Sequence, residues 1–145
     1  MGRPAALALA LLLVSGLAAC DPASGEGDAE PRPSWVEGDP QRVRGETLFR
    51  RRGCLACHKL ASGGEGRSTG PDLAGVTARR GPDWFMGMVL NPDSIRAVDP
   101  VAQALWVEFQ WMMPNLDLTE DQAEAIWSYL RAGDQAGWPD SSPAP

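Results

Sequence analysis

The sequence is poor in the residue types that build most metal and disulfide sites. Its 145 residues include one histidine and three cysteines. Two of the cysteines and the histidine lie within five residues, from Cys54 to His58, and no second Cys/His pair exists. A structural zinc site needs four ligands as a rule, so these residues leave such a site incomplete.

Long apolar runs are also missing. The longest, Ala5 to Val14, is only about half of the roughly 20 residues that span a bilayer comfortably. It follows the basic Arg3 and precedes small residues at positions 18 and 19, which is the pattern of a cleaved signal peptide over residues 1–19. An uncleaved membrane anchor is the alternative, and the short apolar run disfavours it.

Basic charge is scarce as well. The formal net charge is −6, and removal of residues 1–19, which hold one basic and no acidic residue, makes it −7. Binding to nucleic acid through counterion release requires a basic surface. We therefore expect no nucleic-acid partner.

The stretch from Cys54 to His58 has the spacing C-x-x-C-H, which is typical of covalent haem attachment. Each thiol adds across one haem vinyl group, and a three-residue step on a helical turn lets both sulfurs reach one edge of the porphyrin. His58 is then placed to bind the iron as its proximal ligand. The sequence predicts one covalent haem c held by Cys54, Cys57 and His58.

Two other interpretations of this stretch remain. A thioredoxin-like dithiol also uses C-x-x-C, but it opens a helix after a strand, and nothing before Cys54 alternates like a strand. A structural disulfide between Cys54 and Cys57 would leave His58 without a role.

Local signals predict an all-α domain of four to five helices. Asp39 and Pro40 begin a helix that runs to about Arg52. Further helices are expected over 82–90 and from Asp99-Pro100 to Phe109. The last begins at a capping box, Thr119 to Gln122, carries apolar residues at 123, 126, 127 and 130, and ends at Gly133.

The remaining segments have the composition of linkers. Residues 21–39 are rich in Pro, Gly, Ser, Asp and Glu, and these 19 residues extend to about 65 Å at most. We predict a linker over 20–39, a folded domain over 40–133 and a loose tail over 134–145. Trp35 either docks on the domain or is exposed, and Trp138 has no evident purpose.

Two more motifs give the domain a family resemblance. Gly70 to Leu73 reads Gly-Pro-Asp-Leu after the haem motif, and Met113 precedes Pro114. Together with the terminal helices they make residues 40–133 similar to class I monohaem c-type cytochromes, a small all-α fold around one covalently bound haem. The resemblance implies that the Pro71 carbonyl accepts a hydrogen bond from His58, which orients the ring and raises its basicity.

The resemblance also implies a distal iron ligand. A methionine immediately before proline matches Met113, and Met112 is its neighbouring competitor. A second histidine ligand is excluded because His58 is the only histidine. Met86 and Met88 are interpreted as core residues.

Further contacts follow from the resemblance and from the aromatic residues. The first and last helices are expected to meet at Gly45 and Phe49, against Trp127 or Tyr129. Trp106 or Trp111 is a candidate hydrogen-bond donor to a haem propionate, because a buried indole N–H needs a partner.

A second resemblance concerns the membrane. Residues 17–20, Leu-Ala-Ala-Cys, resemble the lipobox of bacterial lipoproteins, which implies lipidation of Cys20. The alternative is a cysteine that lies there by chance. Lipid on Cys20 and thioethers on Cys54 and Cys57 would use all three cysteines. Asp21 resembles an inner-membrane retention signal, so the expected location is the periplasmic side of a bacterial membrane, the inner rather than the outer.

These inferences predict an electron carrier and not an enzyme. A His/Met-ligated haem has no open iron position, so we expect one-electron transfer with redox proteins of a respiratory chain. The alternative is a ligand-binding or catalytic haem protein with a labile or open distal position. Arg50 to Arg52 form a basic cluster that is either a solvated helix end or a docking patch for an acidic partner.

Overall fold

A computed structural model describes residues 32–61, 64 and 66–138 of the protein. The regular structure over these residues is helical. Over these residues the α-helices are α1 Pro40–Arg51, α2 Val76–Arg79, α3 Pro82–Leu90, α4 Pro92–Val98, α5 Pro100–Phe109 and α6 Glu120–Ala136. A 3₁₀ turn, Cys54–Ala56, follows α1. The predicted all-α class is confirmed, with six helices in the described part instead of four to five. No helix among these residues is long and apolar enough to cross a membrane.

Four helices, α1, α3, α4 and α5, begin with proline, whose missing N–H costs nothing at a helix start. The preceding side chain often caps the helix: Asp39 Oδ1 accepts from the Gln41 N–H at 2.9 Å, and Asp99 Oδ1 accepts from the Ala102 N–H at 2.8 Å. The predicted starts of α1, α3 and α5 are confirmed. Two helices were not predicted from the sequence, namely α4, which Asn91 caps in the same way, and the single-turn α2.

Helices α1 and α6 pack closely where α1 has no side chain. A Cβ at Gly45 would overlap the Ala125 carbonyl oxygen and lie 2.8 Å from the Cβ of Tyr129. The rings of Phe49 and Tyr129 are 5.7 Å apart. Trp127, the other predicted partner, instead packs against Phe85 at 5.1 Å.

The end of α6 differs from the prediction. Gly133 lies inside the helix, which continues to Ala136, and Gly137 with φ +76° is the residue that ends it. A Cβ at Gly133 would lie 2.6 Å from Trp138 Cε2, so glycine is needed for the indole to pack there. The prediction of a loose tail from residue 134 is therefore wrong as far as Trp138.

The segment Arg32–Asp39, here called the strap, packs on the helices. Val36 is completely buried, and the Trp35 ring lies 5.6 Å from Tyr129 and 5.3 Å from Trp138. Its first residue forms an ion pair of 2.6 Å with the buried Glu46 of α1. The predicted domain boundary at residue 40 is therefore wrong, because the strap belongs to the folded unit. The predicted signal peptide, Cys20 and residues 139–145 lie outside the described residues.

Candidate functional site

The haem motif forms a tight turn directly after α1. Gly53 adopts φ +76°, a conformation that glycine accepts without strain, and the chain then enters the 3₁₀ turn. The N–H groups of Cys57 and His58 both donate to the Cys54 carbonyl, at 3.2 and 2.9 Å. Both cysteines and His58 thereby line one cavity.

His58 is held by the segment that follows it. Its Nδ1 lies 2.8 Å from the Pro71 carbonyl oxygen, the contact that the family resemblance implied. Gly70 makes this approach possible, since a Cβ there would lie 2.9 Å from His58 Cε1. The Gly70 N–H also donates to the Cys57 carbonyl at 2.8 Å. Because Nδ1 is engaged by an acceptor, Nε2 is the ring nitrogen left for a metal.

The electrostatics of His58 suit a metal ligand. Burial lowers the pKa of His58 below its ordinary value of 6.5, against the opposing effect of the Pro71 hydrogen bond. The imidazole is therefore neutral at neutral pH, and a neutral imidazole is the form that binds a metal.

The environment of Cys54 disfavours the thiolate form, whereas the environment of a reactive cysteine favours it. Burial raises the pKa of Cys54 to about 11, its own backbone hydrogen bond lowers it in part, and Cys57 raises it further. Catalytic thiols of dithiol oxidoreductases instead have lowered pKa values. The electrostatics of Cys54 thus disfavour the dithiol interpretation.

The stretch 110–119 brings methionines to the same cavity. This stretch is not helical, and Gln110 and Asp117 have positive φ values. Met113 is half-buried and Met112 is 42% exposed, and both line the cavity. Arg52 ties the stretch to the end of α1 through a 3.3 Å hydrogen bond to the Leu116 carbonyl.

The two methionines of α3 differ in their surroundings. Met86 packs against the core, as predicted, but Met88 lines the cavity. The sequence could not separate them, since both occur on one short helix of high overall hydrophobicity.

The cavity itself has the size and polarity of a cofactor site. Its volume of about 480 Å³ lies in the usual range of 300–1,000 Å³. Its walls are mostly apolar and include core side chains from α1, α2, α3 and α6, namely Phe49, Val76, Phe85, Val89, Ile126 and Leu130. The cavity is therefore continuous with the hydrophobic core.

Two donors in the cavity wall have no hydrogen-bond partner, Trp84 Nε1 and Arg96 Nε, and both are buried. The Trp84 indole is near enough to Asp99 to help lower the pKa of that carboxyl, after the larger effect of the Ala102 N–H, but it makes no well-formed bond. Arg96 also stacks over Trp106, with its guanidinium carbon 5.6 Å from the ring centre. Unpaired donors beside an apolar cavity fit a ligand with anionic groups.

Arg96 and Trp84 were not predicted from the sequence as candidate ligand contacts. Arg96 lies on α4, which was not predicted, and Trp84 lies among apolar residues of α3. The predicted propionate donors, Trp106 and Trp111, do line the cavity. They are 45% and 74% exposed, and their proposed bonds stay predictions.

Comparison with known proteins gives one family match. Residues 43–134 match the family model Cytochrome c. Among curated proteins, a nitric oxide reductase subunit from Cereibacter sphaeroides is 30% identical over 105 residues, which span 67% of this chain and 65% of the relative. The chain thus spans less than two thirds of that relative.

Solved structures agree with the family match. Cytochrome c from Rhodothermus marinus is 35% identical, with a TM-score of 0.62, over 77% of this chain and 91% of that one. The cytochrome c domain of a Pseudomonas putida protein is 32% identical, with a TM-score of 0.53, over 69% and 99%. An engineered form of the Rhodothermus protein bound to a carbene intermediate is 34% identical, with a TM-score of 0.58, over 77% and 91%.

These similarities imply one covalently bound haem c, and the cavity fits it. Two thiols and an imidazole lie at one wall, methionines lie in the stretch 110–119, the walls are apolar, and two unpaired donors are available to propionates. The zinc, dithiol and disulfide interpretations of Cys54 to His58 are therefore wrong. Over the described residues no group of three or more His, Cys, Asp or Glu side chains is arranged to hold a metal ion.

Proposed function

The chain belongs to the cytochrome c family, and from that premise we propose that it is an electron carrier in which His58 and Met113 hold the haem iron. The observation that carries the proposal is the cavity that both residues line together with Cys54 and Cys57. When bound, the haem supplies an iron that takes up and releases one electron. A six-coordinate iron has no position for substrate, so the proposed protein is a carrier and not an enzyme.

The protein's own residues have distinct tasks in this proposal. Cys54 and Cys57 attach the porphyrin, and Pro71 fixes the ring orientation of His58 and raises its basicity. Met113 would supply a thioether to the iron, and a thioether ligand raises the reduction potential of a haem. The apolar side chains of the cavity wall exclude water from the iron.

The iron ligands are tested by spectroscopy of the oxidised protein. We expect a low-spin spectrum with the iron–methionine charge-transfer band. Met113→Ala should abolish the band, whereas Met112→Ala, the matched control at the adjacent position, should retain it. The reverse pattern would assign the ligand to Met112, and a high-spin wild-type spectrum would contradict a closed distal position.

A second candidate function is a haem protein with an open or labile distal position. The support is the engineered Rhodothermus relative, a similar cytochrome c that is bound to a carbene intermediate. Rapid binding of carbon monoxide by the reduced wild-type protein would support this candidate. Binding only after Met113→Ala would support the electron carrier.

We also propose that the respiratory partner is a membrane reductase. The support is the similarity to the nitric oxide reductase subunit. The reduced protein is mixed with a purified bacterial nitric oxide reductase, and its oxidation on addition of nitric oxide is followed by absorbance. No oxidation would direct attention to other acceptors.

The proposed location is the periplasmic face of a bacterial inner membrane, with lipid on Cys20. The support is the sequence pattern of residues 1–21. Cys20→Ser should move the red protein from the membrane fraction to the soluble periplasmic fraction, and mass spectrometry should find acyl chains only on the wild type. A wild-type protein without acyl chains would refute the anchor.

A further inference from the structure

A single carboxylate at the end of α6 binds the segment that follows Pro71. Asp134 Oδ1 accepts the Gly75 backbone N–H at 2.6 Å. Oδ2 accepts both the backbone N–H and the hydroxyl of Thr77, at 2.9 and 2.6 Å. The Trp138 indole N–H donates to Oδ1 at 2.7 Å. Four donors therefore converge on a side chain that lies 57 or more residues along the chain from the segment that it binds.

The other end of this segment is also fixed. Asp72 Oδ1 accepts the Ala61 N–H at 3.0 Å and the Ala74 N–H at 2.8 Å. The Leu73 N–H donates to the Lys59 carbonyl at 2.9 Å. Pro71 thus begins a segment that is anchored at both ends. The loop after His58 binds its start, and the carboxylate of Asp134 binds its end.

We propose that Asp134 is a positioning residue for the haem ligand: by holding residues 75 and 77 it keeps the Pro71 carbonyl at hydrogen-bond distance from His58. Bonds to a charged acceptor are roughly twice as strong as neutral ones, and Asp134 accepts three of them from residues 75 and 77. The inference rests on the proposed ligation of iron by His58.

The consequence concerns the basicity of the imidazole. A well-placed acceptor at Nδ1 makes the ligand more basic, and a more basic ligand stabilises ferric iron. If the segment shifts, the His58–Pro71 bond weakens and its proton becomes accessible to water. The reduction potential should then rise.

The test compares Asp134→Asn with Asp121→Asn, which removes the same charge from the exposed first turn of the same helix. In the reduced, haem-loaded full chain, NMR measures solvent exchange of the His58 Nδ1 proton. We expect exchange on the order of tenfold faster in Asp134→Asn, from the loss of charge-assisted bonds, and no change in Asp121→Asn. The potential should rise in the first variant only.

Two further variants keep the test decisive. Trp138→Phe keeps an aromatic ring but removes the indole N–H donor. Exchange of the His58 Nδ1 proton should therefore stay at the wild-type rate. Thr77→Val removes one of the three bonds to the segment and should accelerate exchange by a smaller factor, and it replaces Asp134→Asn if that variant does not load haem. Wild-type exchange in both Asp134→Asn and Thr77→Val would overturn the proposal.

Failure of the proposed ligation gives a different result. A ligated His58 has ring protons shifted far upfield by the haem in the reduced wild type. If that shift is absent, His58 is not the iron ligand. If the shift is present and both Asp134→Asn and Thr77→Val leave the exchange rate unchanged, only the positioning role is wrong.

Discussion

At the scale of single residues, several glycines stand where a side chain would collide with a neighbouring helix or ring. Gly45 lets α1 contact the Ala125 carbonyl, Gly70 admits the His58 ring, and Gly133 admits the Trp138 indole. At each of these positions any larger residue would have to displace backbone or an aromatic ring. These positions should therefore tolerate substitution poorly.

Gly45→Ala should destabilise the haem-loaded protein by about 1–3 kcal/mol or more, since the added methyl meets backbone that cannot move aside cheaply. Urea unfolding followed by the haem absorbance measures the change. Gly81→Ala is the control, because a Cβ there meets nothing within 4 Å, and it should stay within about 1 kcal/mol of wild type. Equal stability of the two variants would contradict the close α1–α6 contact.

The Gly45 contact could be predicted only in part. Trp127 and Tyr129 are two positions apart on α6 and so point in widely different directions, and only one can face α1. Which of them does so depends on the rotation of the whole helix. Packing, not the local pattern, directs Tyr129 to Phe49 and Trp127 to Phe85.

At the scale of elements, a proline in the first position begins four of the six helices in the described part, among them α4, one of the two helices that the sequence pattern does not predict. The predicted helix over 82–90 stops before Asn91-Pro92, although this dipeptide has the same form as Asp39-Pro40 and Asp99-Pro100, which begin α1 and α5. Such a dipeptide can end one helix and also begin the next. If it is considered only as an end, the second helix is missed. The predicted end of α6 failed for another reason, since the glycine at 133 serves a long-range contact with Trp138.

Asp99→Ala should destabilise the protein by about 1 kcal/mol at pH 7, because it removes the cap of α5. Glu108→Ala, an exposed change on the same helix, should stay within about 0.5 kcal/mol. Thermal unfolding at several pH values provides the measurement.

The pH dependence of this effect has a definite sign. The Ala102 N–H is the main cause that lowers the pKa of Asp99 below 3.8. The charged cap therefore stabilises the fold above pH 3.8, and its contribution disappears as the pH falls through the lowered pKa. If the difference in stability between wild type and Asp99→Ala became larger in acid, this account would be contradicted.

At the scale of the whole molecule, the haem cavity is part of the core. A void of about 480 Å³, at about 24 cal/mol per Å³, corresponds to at most about 12 kcal/mol, which is comparable with the whole stability of a small domain. The all-α class and the single haem could be predicted because the motifs that define them are local. The limits of the domain could not be predicted. The strap and Trp138 belong to it through contacts that form only after folding.

Replacing both Cys54 and Cys57 by alanine, which prevents haem attachment, should therefore abolish cooperative unfolding. We expect loss of the near-ultraviolet circular dichroism and binding of a hydrophobic dye, with helical far-ultraviolet signal partly retained. Cys20→Ser, which leaves both haem thiols in place, should unfold like the wild type. A sharp, unshifted transition in the double variant would show that the core does not depend on haem.

The strap has a consequence for the volume that the domain explores. Because the strap is packed on α1 and α6, only residues 21–31 separate Cys20 from the folded unit, which limits their span to about 40 Å instead of the 65 Å of a free segment to residue 39. For a lipid on Cys20, as proposed, the accessible half-sphere shrinks about fourfold, and the local concentration at a membrane partner rises by the same factor. With the proposed anchor, packing of the strap would thus determine how often the haem meets a membrane partner.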